Sequence, residues 1–177
     1  MNFQALSLPG LKKITPQVFI DPRGFFKETY QARAYAQLGI EDTFVQDNHS
    51  YSRRGVLRGM HFQRSPGQVK LVQVIMGQIF DVVVDMRKDS PTFGKWEGVY
   101  LDGIAGEQLL IPVGCAHGFC VVSDEAHVVY KVSAPYDPVE EQGFCFDDPD
   151  VAINWPIQEP LLSLRDQQLP RFSEVCR

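Results

Sequence analysis

Long apolar runs are missing from this chain. No stretch approaches the roughly 20 residues that a helix needs to cross a bilayer. No membrane-spanning helix is expected, and no membrane partner. Met1 to Gly10 carries neither a charged start nor an apolar stretch behind it, so no secretory signal is read there and the cytoplasm is the expected compartment. Cysteine is scarce: Cys115, Cys120, Cys145 and Cys176 form no CxxC pair and no zinc-like spacing. The first three sit among apolar neighbours and read as small buried hydrophobes, while Cys176 lies in the tail. A surplus of positive charge is also absent. The net charge is −5 and the pI about 5.3, which argues against nucleic acid as a partner. Linkers, low-complexity segments and composition breaks are lacking, and the 177 residues are expected to form a single domain over 1–177.

One absence is local. No acidic residue occurs from Asn48 to Phe80, whereas Arg53, Arg54, Arg58, Arg64 and Lys70 all fall there. Two readings follow, a pocket for a small anion or a solvated basic hairpin. Within it lies Gly55-Val56-Leu57-Arg58-Gly59-Met60-His61-Phe62-Gln63. Alternation along a strand sends Arg58 and His61 to opposite faces. They can share a face only through a bend, and Gly59 can supply one.

What remains is mostly strand. Val18 to Ile20 and Phe25 to Tyr30 flank the turn Asp21-Pro22-Arg23-Gly24. Gln31 to Leu38 is the one clear helical piece, stopped by Gly39. Thr43 to Ser50 is extended, with Gln46 and Asn48 on one face. Leu71 to Met76 and Ile79 to Met86 read as a hairpin across Gly77-Gln78, and Ala116 to Val122 with Ala126 to Ser133 as another across Ser123-Asp124-Glu125. Trp96 to Leu101 and Gln108 to Ile111 complete a series spaced roughly 8–12 residues apart, the signature of an all-β sandwich or barrel. Ile79 to Val84 is apolar on both faces except at Asp81. Cover on both sides is expected, as a jelly roll within a dimer would provide.

Gly55, His61 and Gln63, then Gly106, Pro112, Gly114 and His117, have the spacing of two conserved boxes. They resemble those of the cupin superfamily, jelly-roll barrels of two sheets, and the resemblance implies that His61 and His117 both face the interior. Metal-binding cupins carry His-x-His and Glu in the first box. Here Gln63 replaces the second His, and Gly67 or Gln68 stands where Glu is expected. Too few ligands remain for the usual divalent-metal shell, so no metal and no other cofactor is expected. His61 reads as kept for a proton.

The closer resemblance, over about Asp21 to Asp166, is to the dTDP-4-dehydrorhamnose 3,5-epimerase family. It rests on ordered motifs: Asp21-Pro22-Arg23-Gly24-Phe25-Phe26, Gln46-Asp47-Asn48, the Gly55–Gln63 stretch, Lys70-Leu71-Val72, Phe80 to Arg87, Ser90-Pro91-Thr92-Phe93-Gly94, Pro112 to Phe119, Asp148-Pro149 and Asn154-Trp155-Pro156. The resemblance implies an all-β, cupin-type jelly-roll barrel or sandwich with a few short helices. It also implies a homodimer and a dTDP-4-dehydro-6-deoxy-D-glucose substrate whose C3 and C5 are inverted through an enolate. His61 would be the base, Asp166 its carboxylate partner, Lys70 the cation at the C4 oxygen and Tyr130 the acid. The nucleotide diphosphate would fall to Arg23, Glu28, Gln46, Asn48, Arg58, His117, Glu141 and Arg165, with Phe25 beside the base. In the family the N-terminal segment crosses to the partner, so Arg23 and Glu28 would serve the neighbour's site. Tyr130 alone reads as a core residue, and only the resemblance makes it an acid. His117 has two readings, ligand contact or barrel-turn support. His49 and His127 match nothing and read as surface or structural. Arg165 stands where Lys is common. Three other activities remain open on sequence: a C3-only epimerase, a nucleotide-sugar-binding cupin without turnover, and a metal-dependent cupin.

Overall fold

Residues 2–176 are described by a computed structural model. Strands β1 (Asn2–Ala5), β2 (Lys12–Thr15), β3 (Val18–Asp21) and β4 (Gly24–Lys27) precede a short helix, α1 (Ala32–Ala36). Then follow β5 (Gln46–Arg53), β6 (Leu57–Gln63), β7 (Lys70–Met76), β8 (Gln78–Asp85) and β9 (Trp96–Asp102). After these come β10 (Gln108–Ile111), β11 (Cys115–Val121), β12 (Glu125–Val132), β13 (Glu141–Gly143), a 3-10 turn at Asp166–Gln168 and α2 (Phe172–Val175). Six strands form one sheet in the order β1-β2-β10-β7-β12-β5, and five form a second in the order β13-β6-β11-β8-β9. The β3–β4 hairpin stands outside both. This is the two-sheet jelly roll expected.

The connections differ from expectation. Strand β7 lies in the six-stranded sheet and β8 in the five-stranded one, and β11 and β12 are divided the same way. Neither Gly77-Gln78 nor Ser123-Asp124-Glu125 closes a hairpin; both are corners where the chain changes sheets. The corners pack on each other. Ser123 Oγ accepts the Gln78 N–H at 2.8 Å, and a Cβ on Gly77 (φ +82°) would lie 2.0 Å from the Glu125 carbonyl. A glycine at positive φ serves a corner as well as a hairpin, so local sequence cannot separate them.

Alternation then builds three apolar layers. Val72 and Val74 of β7, Val128 of β12 and Leu109 of β10 meet Ile79 and Val83 of β8 and Phe119 of β11 between the sheets. The opposite face of β8, with Phe80, Val82 and Val84, packs on Met60, Phe62, Phe144, Val151 and Phe172. The second face of β8 is therefore covered by this chain's own C-terminal segment, not by a partner subunit. The outer face of the other sheet is covered over Leu71 and Leu110 by Tyr35 and Ile40 of the α1 region. That helix is shorter than expected but ends before Gly39 (φ +71°), with Gln31 capping its start by accepting the Ala34 N–H. Cys115 and Cys120 are buried, whereas Cys145, expected to be buried, is partly exposed.

Candidate active site

The bend expected at Gly59 is a β-bulge. On β6 His61 lies opposite His117 and Arg58 opposite Phe119, so three steps on one strand face two on the other. Leu57, Met60 and Phe62 consequently join the outer layer, while Arg58 and His61 both line the cavity inside. Only glycine fits at the bulge. Gly59 has φ +123°, and a Cβ there would come within 2.5 Å of the Gly118 Cα.

That cavity has a volume of about 490 Å³. Eight of the thirteen residues expected in the site line it: Arg58, His61, Lys70, His117, Tyr130, Glu141, Arg165 and Asp166. They arrive from both sheets. Arg58 and His61 come from β6, His117 from β11 and Glu141 from β13 of the five-stranded sheet; Lys70 and Tyr130 come from β7 and β12 of the other. Arg165 and Asp166 are carried by the C-terminal segment, whose Leu161 forms a parallel bridge to Val56.

His61 Nε2 lies 2.7 Å from Asp166 Oδ1, and the carboxylate is almost buried. Burial pushes the Asp166 carboxyl up. The His61 hydrogen bond and charge, with the Ser163 hydroxyl and the Gly59 N–H, outweigh that and hold it below the usual range. An anionic Asp166 accepts the Nε2 proton, leaving Nδ1 free to take one from a ligand. A second pair lies deeper: His117 Nε2 is 2.9 Å from Asp81 Oδ2, with Asp81 fully buried. His117 is thus both anchored in the barrel and exposed to the cavity, so its two readings are compatible.

Lys70 shares the inner face of β7 with Val72 and Val74 and is only 8% exposed. Burial lowers its pKa, and Glu141 and Asp81 offset part of that. Among the described residues it forms no ion pair within 4.0 Å, as its neighbours Arg165 and Glu141 do at 2.6 Å. A cation so placed is free to meet an oxyanion. Burial also raises the Tyr130 phenol; Glu141 adds to the rise and Arg58 opposes it. Tyr130 therefore holds its proton firmly.

The remaining expected residues lie apart. Gln46 and Asn48 sit on β5, bonded to each other at 2.8 Å, with Asn48 beside Tyr130 in register. Arg23, Phe25 and Glu28 do not line this chain's cavity. Arg23 is exposed in the β3–β4 turn and paired with Asp21 at 2.6 Å; Phe25 is 55% exposed under Lys27. Two polar residues not anticipated line the cavity, Ser50 and Ser163, and Tyr136 stands nearby without lining it. Ser50 lines the cavity with a buried hydroxyl that has no hydrogen-bond partner among the described residues. It continues the Gln46–Asn48 alternation, which would have found it. Ser163 lines the cavity beside Asp166 and accepts the Asp166 N–H. Tyr136, half exposed, donates its N–H to Gln46 at 3.0 Å and stands near Arg165. His49 and His127, 2.9 Å apart, lie outside the cavity on the sheet's outer face.

A carboxylate-paired histidine, a buried lysine and a partly buried phenol facing one cavity suit the removal and return of a proton beside a carbonyl. Together with the barrel they define a jelly-roll isomerase. Comparison with known proteins narrows the class. A family model described as dTDP-4-dehydrorhamnose 3,5-epimerase matches residues 5–174. The dTDP-4-dehydrorhamnose 3,5-epimerase of Shigella flexneri is 49% identical over 177 residues, covering 99% of this chain and 98% of that protein. The same enzyme of Neisseria gonorrhoeae is 52% identical over 94% of this chain, which spans 51% of that relative's length. A dTDP-4-dehydrorhamnose 3-epimerase of Streptomyces niveus is 45% identical over 99% of this chain and 86% of its own. A solved 3,5-epimerase from Legionella pneumophila in complex with dTDP-4-keto-L-rhamnose has a TM-score of 0.90 at 45% identity, covering 97% of this chain and 98% of that one. The chain belongs to the dTDP-4-dehydrorhamnose 3,5-epimerase family.

Proposed function

We propose that this chain inverts C3 and C5 of dTDP-4-dehydro-6-deoxy-D-glucose, giving dTDP-4-dehydro-β-L-rhamnose. The observation that supports the reading is that His61 and Tyr130 face one cavity from opposite sheets. A sugar between them presents one ring face to each. His61 takes the proton next to the C4 carbonyl, and the electron pair moves onto the C4 oxygen. Lys70 holds the resulting enolate, where a buried charge is worth most. Tyr130 then delivers a proton to the opposite face. Its raised pKa keeps the phenol protonated until an enolate, itself strongly basic, draws the proton. Asp166 holds the His61 tautomer and balances the imidazolium.

Arg58 and Arg165 suit the diphosphate, since the planar guanidinium can bond two oxygens at once. Gln46, Asn48, His117 and Glu141 complete the nucleotide contacts. Arg23, Phe25 and Glu28, away from this chain's cavity, serve a second subunit in a homodimer. The exposed Phe19, Ile20, Phe25 and Phe26 of the β3–β4 hairpin support that assignment. The setting is cytoplasmic supply of L-rhamnose for surface polysaccharide.

A C3-only epimerase is the second reading, favoured by the 45% identity to the Streptomyces 3-epimerase. Incubation with the keto sugar in D2O after EDTA treatment separates the two. Label at both C3 and C5 is expected. Label at C3 alone would replace the reading by the second, and loss of exchange with EDTA would replace it by metal chemistry.

A further inference from the structure

Asp166 is 105 residues from the histidine it serves, and it lies on a segment with little regular structure. Something must hold that segment. Its near end is tied to the edge of the barrel. The Leu57 N–H donates to the Leu161 carbonyl at 3.0 Å, and the Leu161 N–H donates to the Gly55 carbonyl at 2.8 Å. Those bonds flank the residues that lead into β6, so the segment is referenced to the strand carrying His61. Between Leu161 and Asp166 the chain turns. Ser163 makes that turn: its Oγ accepts the Asp166 N–H at 3.0 Å, and its carbonyl accepts the Gln167 N–H at 3.1 Å. A hydroxyl both accepts and donates, so one side chain can hold the backbone of Asp166 and act on its carboxylate.

We infer that Ser163 is a positioning residue for the epimerisation: it sets the Asp166 carboxylate against His61 Nε2 and so fixes which ring nitrogen is left to take the substrate proton. The inference rests on the reading of His61 as base. The Ser163 hydroxyl is also among the groups that hold Asp166 below its ordinary range. A residue that merely capped the Asp166–Gln168 turn would affect stability and leave the tautomer of His61 alone. A residue that bound ligand would act on KM.

The test compares Ser163→Ala, Ser163→Thr and His61→Ala in the full chain. Ser163→Ala is expected to lower kcat for exchange about tenfold, the worth of one hydrogen bond. KM and the Kd for dTDP should stay within about twofold, because Ser163, though it lines the cavity, acts through Asp166. The 15N spectrum of His61 should pass from mainly Nε2-protonated to a tautomer mixture. Ser163→Thr, which keeps the hydroxyl, should restore both kcat and the spectrum. Unchanged kcat in Ser163→Ala overturns the inference. So does a loss confined to KM, a fall in Tm with unchanged kcat, or failure of Thr to rescue. His61→Ala keeps the two readings apart. If it still exchanges at the wild-type rate, the base assignment falls; if it is inactive while Ser163→Ala is fully active, only the role of Ser163 falls.

Discussion

Lys70→Met should separate catalysis from stability in opposite directions. Methionine nearly matches the volume of lysine and has no charge. An enolate oxygen about 4 Å from the ammonium, at an effective dielectric of about 20, gains roughly 4 kcal/mol. At about 1.4 kcal/mol per tenfold, its loss lowers kcat about 10³-fold. The keto form carries no full charge, so substrate binding should weaken far less. Stability moves the other way. Lys70 is 8% exposed and outside any ion pair among the described residues, so its burial is poorly offset. Exchanging it for an apolar side chain should leave unfolding free energy unchanged or raise it by about 1–4 kcal/mol. The pH dependence gives a further check. Burial depresses the Lys70 pKa, so the folded chain holds this proton less tightly than the unfolded chain. The penalty is fully present below the folded value and fades as pH rises toward the ordinary 10.5. The Tm advantage of Lys70→Met should accordingly be largest near neutrality and shrink in alkali. Exchange of C3 and C5 protons in D2O and thermal melts across pH are the assays. A kcat within tenfold of wild type would refute the oxyanion role. A marked loss of stability would mean that Lys70 is held by Glu141 and Asp81 as a structural ion pair.

Other outcomes follow from the same geometry. Tyr130→Phe should permit proton loss but slow return to the new face about 10²- to 10⁴-fold, read as label in recovered substrate without matching product. Asp85 is fully buried and accepts from Arg87, Ser90 and Thr92; burial raises its pKa, and these donors outweigh that and hold it well below the carboxylate range. Its stabilisation is present above the unfolded value of 3.8 and lost as pH falls through the folded one. Asp85→Asn should cost about 1.5–3 kcal/mol at neutral pH and flatten the acid limb of the stability curve, measured by urea unfolding. Phe144 is fully buried where the C-terminal segment covers β8. Phe144→Ala should cost about 3–5 kcal/mol in the same assay, and a loss below 1 kcal/mol would mean that this layer is not part of the core.

The chain itself determined the strand content, the box spacing and most of the residue types that line the cavity. These are local properties: alternation marks a strand, glycine marks a turn, and Arg58, Gly59 and His61 together imply a bulge. Lys70 stood out in the local cationic zone, whereas Tyr130 and Asp166 were legible only as part of an ordered resemblance, because a single Tyr in a strand looks like any core residue. Tertiary structure decided the rest. Gly77 and Ser123 became sheet-changing corners because partner choice between strands depends on segments far away in sequence. The outer face of β8 was covered by residues 144–172 because that was the apolar surface within reach of the same chain. Asp166 met His61 across 105 residues through a backbone bridge at Leu161, for which no side-chain pattern exists. His61 and Tyr130 came to opposite walls of one cavity because β6 and β12 lie in different sheets, and pairing across a barrel is written in no single stretch of residues.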